Sequence, residues 1–151
     1  MNVLFVDDDA MNRRVVKDML RVVGADMDEA PDAGTGLRMM DERRFNVVLM
    51  DIRMPSMDGL TAIRHLRQKA TATRDVPVIV VTADAGADLS DRCFAAGAND
   101  VIQKPVAIGA LLQAVGRITA QRDGDVLLDA DVEPIVLRAS TGSYGLCARG
   151  Q

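Results

Sequence analysis

Five short runs, each closed by a polar or turn residue and each followed by a segment of helical spacing, constrain this chain more than any other feature. Alternation of this kind is the signature of βα units wound around a parallel sheet. The runs are Val3 to Val6, a weaker one from Asp26 to Ala30, Asn46 to Met50, Pro77 to Val81 and Asp100 to Gln103. The third is apolar on both faces, as a central parallel strand covered by helices on each side must be.

Between the strands the apolar residues switch to helical spacing. Met11, Val15, Val16, Met19, Leu20 and Val23 make a first helix, with Gly24 placed as its C-terminal cap. Pro31-Asp32 opens a second, with Ala33, Leu37 and Met40 on one face. After the loop Met54-Pro55-Ser56-Met57-Asp58-Gly59, a third turns Leu60, Ile63 and Leu66 inward and Arg64, Arg67 and Lys69 outward. A fourth, over 86–96, buries Leu89 and Cys93 and stops at Gly97, and a fifth carries Ile108, Leu111, Leu112, Val115 and Ile118. The expected architecture is α/β, a doubly wound (βα)5 domain with a five-stranded parallel sheet over residues 1–120. Residues 121–151 have a different character, and their apolar pieces (Val126 to Leu128, Ile135 to Leu137) are too short for a core. They read as a flexible tail or linker.

Composition narrows the function. With 151 residues, 48% hydrophobic and 26% charged, the chain has matter for one core and little beyond it. Aromatics make up 3% and Trp is absent, so there is no stacking platform for bases. A net charge of −4, from 18 basic and 22 acidic residues, opposes binding to a phosphate backbone, so no direct nucleic-acid partner is expected. Cys93 and Cys147 form neither a metal-spacing motif nor a disulfide framework, and the single histidine, His65, argues against zinc. The apolar start, Met1 to Val6, is too short and too poor in basic residues for a signal peptide, and no run of 18 apolar residues exists. A cytoplasmic protein without membrane contact is the expectation.

Open parallel sheets bind ligands in the crevice at the carboxyl ends of their strands. Asp7-Asp8-Asp9, Asp51, Thr82 and Lys104 fall at those ends of strands one, three, four and five. Singly, each has an ordinary explanation: acids after a strand cap the next helix, a threonine starts a turn, and a lysine before proline is solvated. Together they point to a cation, because adjacent carboxylates repel one another unless one sits among them. Oxygen ligands without histidine or cysteine select a hard ion such as Mg²⁺. An aspartate, a hydroxyl and a lysine beside Mg²⁺ form a recurring kit for phosphoryl transfer, in which the carboxylate attacks and the cations neutralise phosphoryl oxygens. Three carboxylates, one divalent ion and one lysine sum to about zero charge, so an incoming anion is not repelled.

Val6-Asp7-Asp8, Met50-Asp51 with Met54-Pro55 and Met57-Asp58-Gly59, Val81-Thr82-Ala83, and Gly97-Ala98 followed by Lys104-Pro105 resemble the receiver domains of two-component response regulators. The resemblance covers about residues 2–120 and is closest in flavour to receivers of hybrid histidine kinases, whose first helix resembles Met11-Asn12-Arg13-Arg14. It implies a CheY-like, flavodoxin-like strand order 2-1-3-4-5. It makes Asp51 the phosphoacceptor, with Asp8 and Asp51 binding Mg²⁺ directly, Asp7 through water and the backbone carbonyl of Arg53 completing the protein ligands. Thr82 would turn its hydroxyl to the phosphoryl group and Lys104 would pair with it, held by a cis peptide to Pro105. Asp9 matches no required position and is expected to cap helix one. The donor would be a phosphohistidine on a histidine kinase or histidine phosphotransfer protein, and the receiver would catalyse only its own phosphorylation and dephosphorylation. Added charge at Asp51 then biases a two-state element that signals to a downstream protein.

Two local features depart from or specialise the pattern. Val101 stands where the family's aromatic switch residue belongs, so movement of Thr82 is expected to couple to output differently or weakly. Arg53 and Asp84 occupy the two positions that tune dephosphorylation in the family, and an ion pair between them over the pocket mouth is expected. His65 reads as a solvated surface residue, and Met54 and Met57 as partly exposed. The first helix is an even choice between a docking surface and a plain solvated start. A haloacid-dehalogenase-type phosphohydrolase is the rival, since Asp7 and Asp9 have its spacing, but Met11 stands where a Thr or Val belongs and Asp51 has no place in that scheme. A vestigial interaction module is the third reading, and the complete residue set argues against it.

Overall fold

A computed structural model describes residues 1–123, with side chains described to residue 120; of the segment expected to be a tail or linker, residues 124–151, Cys147 among them, lie outside the described residues. The elements run β1 (Asn2–Val6), α1 (Ala10–Val22), β2 (Asp26–Ala30), α2 (Ala33–Glu42), β3 (Val47–Asp51), α3 (Gly59–Arg67), a 3₁₀ turn (Ala72–Asp75), β4 (Val78–Thr82), α4 (Ala87–Ala96), β5 (Asp100–Gln103) and α5 (Ile108–Asp123). The strands form one sheet in the order β2-β1-β3-β4-β5, all pairs parallel, as expected. None of the helices among the described residues is long and apolar enough to cross a membrane.

Strand alternation divides the core in two. Val3 and Phe5 of β1, Val47 and Leu49 of β3, and Ile79 and Val81 of β4 face one side, where Val16 and Leu20 of α1 and Leu111, Ala114, Val115 and Ile118 of α5 cover them. Leu4, Val6, Val48, Met50, Val78 and Val80 face the other, under Ala33 and Met40 of α2, Leu60, Ile63 and Leu66 of α3, and Cys93 and Ala96 of α4. Every residue of β3 and β4 is buried. Each large aliphatic side chain so buried stabilises the fold by about 1.5–3 kcal/mol.

Three helices start on an aspartate whose carboxylate accepts a backbone N–H of the first turn: Asp9 from Met11 (2.8 Å), Asp32 from Thr35 (2.7 Å) and Asp58 from Thr61 (2.8 Å). A cap of this kind contributes about 1 kcal/mol. Asp9 therefore does the capping work expected of it, and Asp32 begins the second helix as Pro31-Asp32 suggests. At the end of α4, Gly97 takes φ +117, where a side chain is strained, and its N–H returns to Phe94.

Helical spacing misplaced several side chains. Met11 and Val15 are exposed, at 67% and 43%, because the buried seam of α1 runs through Val16 and Leu20. In α5, Ile108 is exposed and Ala114 sits inside instead. Arg67 is half-buried and fully engaged rather than simply solvated. Its Nε donates to the Gly97 carbonyl (2.9 Å) and its terminal nitrogens to the carbonyls of Arg74 (2.7 Å) and Val76 (2.6 Å) and to Asn99 Oδ1 (2.9 Å). One guanidinium thus joins the ends of α3, the 3₁₀ turn and α4, where carbonyls point away without helical partners. Lys69 is paired with Asp41 at 3.0 Å, whereas Arg64 and His65 are exposed as expected.

Candidate functional site

Register alone brings the site together. Val6 pairs with Met50, so Asp7 and Asp51 leave adjacent strands side by side. Thr82 ends β4 opposite Gln103 of β5, and the next residue, Lys104, donates its N–H to the Thr82 carbonyl at 2.7 Å. From there the Lys104 side chain reaches back across β4: Nζ lies 3.0 Å from Asp7 Oδ2 and 3.3 Å from Asp51 Oδ1. The peptide from Lys104 to Pro105 is cis.

Asp7, Asp51 and Thr82 are the buried polar residues of the described chain, at 0%, 5% and 1% exposure, while Asp8 is exposed beside them. One carboxylate oxygen each from Asp7, Asp8 and Asp51 lies within 4.8 Å of the others. Burying carboxylates so close together is costly. Burial, and then the charge of Asp7, push the Asp51 carboxyl above its usual range, with Lys104 pulling the other way. Burial alone would lower Lys104, but its hydrogen bond to Asp7 and the charges of Asp51 and Asp7 raise it above the ordinary lysine value. Lys104 therefore stays cationic at neutral pH and offsets one of three negative charges. The remaining two match a divalent ion, and an all-oxygen donor set fits a hard one such as Mg²⁺.

The loop after Asp51 is shaped by close approach. Ser56 adopts a left-handed φ of 73. Gly59, the first residue of α3, hydrogen-bonds Ile52 O at 2.8 Å, and a Cβ there would stand 2.1 Å from the Asp51 carbonyl oxygen. Only glycine lets α3 start against the backbone of Asp51, which explains the Asp58-Gly59 pair. Met54 and Met57 of this loop are half-buried against the core, as expected.

At the mouth, the Arg53 guanidinium grips the Asp84 carboxylate with two bonds, Nε to Oδ2 at 2.9 Å and a terminal nitrogen to Oδ1 at 2.7 Å. The expected ion pair is present. Asp84 in turn donates its N–H to Thr82 Oγ1 (3.0 Å) and accepts Gln103 Nε2 on its carbonyl (3.1 Å). Val101 is half-buried on β5 and packs against the core cluster that α4 helps to cover.

Sequence reasoning missed the residues behind Asp7. Asn12 Nδ2 lies 3.4 Å from Asp7 Oδ2, and the Arg13 guanidinium donates to the Asp7 backbone carbonyl and to Glu29. In the sequence Arg13 reads as part of a helix start that either docks a partner or is solvated, because the approach of Glu29 from β2 has no sequence signal.

A flavodoxin-like domain with an acidic pocket and an invading lysine at its carboxyl edge defines a class, and comparisons with known proteins agree. Residues 3–116 match the family model of the response regulator receiver domain, and the chain belongs to that family. The sensor histidine kinase RcsC of Salmonella typhi is 35% identical over 115 residues, which are 76% of this chain and 12% of that protein. This chain spans only that small fraction of such hybrid kinases. The chemotaxis protein CheY of Pseudomonas aeruginosa is 32% identical over 125 residues, 82% of this chain and 100% of that one. Among solved structures, the receiver domain of a Pseudomonas aeruginosa sensor histidine kinase, described with magnesium coordinated in its active site cleft, aligns with a TM-score of 0.72 and 32% identity over 79% of this chain and 97% of that one. CheY in a beryllofluoride and magnesium complex with CheX from Borrelia burgdorferi gives a TM-score of 0.73 and 26% identity, covering 78% and 88%. The chain is a signalling receiver, and Asp9, the second acid that a phosphohydrolase would need, caps α1.

Proposed function

We propose that Asp51 accepts a phosphoryl group from a partner's phosphohistidine with Mg²⁺ in the pocket, and that the added charge shifts which protein this domain binds. The observation that carries the reading is Lys104 Nζ placed between Asp7 and Asp51 at 3.0 and 3.3 Å, beside a third carboxylate. In the transfer the N–P bond of the donor breaks and an O–P bond forms to an Asp51 carboxylate oxygen. Lys104 and the Thr82 hydroxyl take up the charge of the arriving group, and the buried walls exclude bulk water. Asp8, Asp51 and the Arg53 carbonyl would hold the metal directly and Asp7 through water. Bound there, Mg²⁺ would neutralise phosphoryl oxygens as charge develops on them. Transfer onto Asp51 and its later hydrolysis are the only reactions the domain catalyses in this reading.

The donor is a histidine kinase or a histidine phosphotransfer protein, since sensor histidine kinases recur among the relatives. Exposed Met11 and Val15 with Arg14 give α1, which starts beside the pocket, an apolar and basic face suited to that donor. A cytoplasmic location follows from that partnership, without nucleic acid or membrane as a direct ligand. Residues 1–120 form the receiver in this reading.

Intact-mass measurement after incubation with acetyl phosphate tests the core claim. One phosphoryl adduct is expected with Mg²⁺, and none without Mg²⁺ or in Asp51→Ala. An adduct that persists in Asp51→Ala overturns the assignment.

A further inference from the structure

Every polar atom of Asp7 is engaged. Its N–H donates to Ala30 O of β2 at 3.1 Å, its Oδ1 accepts the Asp9 N–H at 2.8 Å, and its Oδ2 faces Lys104 and Asn12. The carbonyl is the exception to ordinary strand bonding. β2 ends at Ala30 and Pro31 follows, so the ladder that took the Asp7 N–H does not continue, and the guanidinium of Arg13 supplies the donor instead. Nε of the same guanidinium is held by Glu29 Oε1 at 3.0 Å, and Glu29 Oε2 is held by Lys17 Nζ at 3.2 Å. The Arg13 side chain is only 14% exposed.

A cation in this place needs an explanation. Arg13 lies in the first turn of α1, the positive end of the helix, and beside a pocket built for another cation. Coulomb's law alone makes that unfavourable for Mg²⁺. What it supplies is geometry, for a planar fork spans two acceptors at fixed angles, which a lysine cannot do.

We propose that Arg13, anchored by Glu29, is a positioning residue that fixes the backbone from which Asp7 and Asp8 project, and thereby sets the affinity of the acidic pocket for a divalent cation. The inference rests on the metal site proposed above. Groups that orient metal ligands from behind commonly change affinity by ten- to a hundredfold when lost.

The sign of the effect separates positioning from charge. Titration of the whole unphosphorylated chain with MgCl₂ by calorimetry is the measurement, with thermal unfolding in EDTA as a check on folding. Arg13→Met should bind Mg²⁺ about tenfold more weakly than wild type, although removing a positive charge would by itself tighten binding. Arg13→Lys, which keeps the charge and loses the fork, should also weaken it, and it carries the test if Arg13→Met does not fold. Equal or tighter binding in a folded Arg13→Met, or wild-type binding in Arg13→Lys, overturns the role of Arg13 while leaving the metal site intact. Failure of the wild type itself to bind Mg²⁺ overturns the metal site and this inference with it.

Discussion

Arg53 and Asp84 close over the pocket mouth through two hydrogen bonds of 2.9 and 2.7 Å, joining the loop after β3 to the loop after β4. The Arg53 side chain is 77% exposed, so the pair adds well under 1 kcal/mol to stability. Its expected consequence is kinetic: if Asp51 is phosphorylated as proposed, the pair should restrict water reaching the phosphoryl group. Arg53→Ala is expected to shorten the phosphoryl lifetime about two- to fivefold, a barrier change of about 0.4–1 kcal/mol, with an unchanged melting temperature. Phosphate release from the acetyl-phosphate-loaded protein measures it, and an unchanged lifetime refutes it.

Mg²⁺ should stabilise the fold. Three clustered carboxylates with one lysine leave uncompensated charge, and a ligand at a hundred times its Kd adds about 2.7 kcal/mol, or roughly 10 °C in a domain of this size. Asp51→Asn removes part of that repulsion. Its melting temperature in EDTA should exceed that of the wild type by several degrees, and most of the Mg²⁺ response should vanish. Calorimetric scans with and without EDTA decide, and an identical Mg²⁺ shift in both proteins would contradict the site.

Gly59→Ala should be among the most damaging single-methyl changes in the chain. A Cβ 2.1 Å from the Asp51 carbonyl oxygen meets backbone that cannot yield. We expect a loss of about 3 kcal/mol in urea unfolding, together with slower phosphorylation, because the displaced backbone carries the acceptor. Gly34→Ala is the control, since its added Cβ meets nothing nearer than 3.5 Å.

The Asp32 cap should leave a signature in acid. The Thr35 backbone N–H, then its hydroxyl, hold the Asp32 carboxyl below its usual range. Its pKa is therefore lower folded than unfolded, so its contribution is complete above the unfolded value near 3.8 and is lost as pH falls through the folded one. Asp32→Ala should cost about 1 kcal/mol at pH 7, and the gap from wild type should narrow as pH falls below 3.8 and through the lower folded value. A gap that persists into acid would show that the cap acts without its charge.

Val101 should mute the switch. A half-buried valine packed against the core has no ring to exchange between two positions as Thr82 moves. Backbone shifts at Thr82 and along α4 between free and beryllofluoride-bound protein are expected to be small by NMR. Large shifts there would show that coupling proceeds without an aromatic. With no Trp in the chain, fluorescence offers no shortcut.

What was legible in the sequence was whatever depends on near neighbours or on period. Alternating runs gave the strands, and Asp9 and Asp32 announced themselves as caps because a cap reads its own next few residues. The pocket was legible because β-strands deliver whatever follows them to a common edge. Arg67 and Arg13 were not legible. Arg67 bonds backbone carbonyls, which carry no residue identity, and Arg13 is anchored by Glu29 of β2, whose approach no local pattern announces. Met11 and Val15 misled because apolar spacing identifies a helix without saying how wide its buried stripe is.

Lys104 contacts Asp7 across 97 positions of sequence. A chain synthesised from its N-terminus acquires the aspartate proposed as acceptor long before it acquires the lysine that lies beside it. Until the last strand takes its place at the edge of the sheet, β1 and β3 can pair while the pocket lacks its lysine. A phosphoryl group arriving as proposed would meet acceptor and cation together only in a molecule whose two halves have already met.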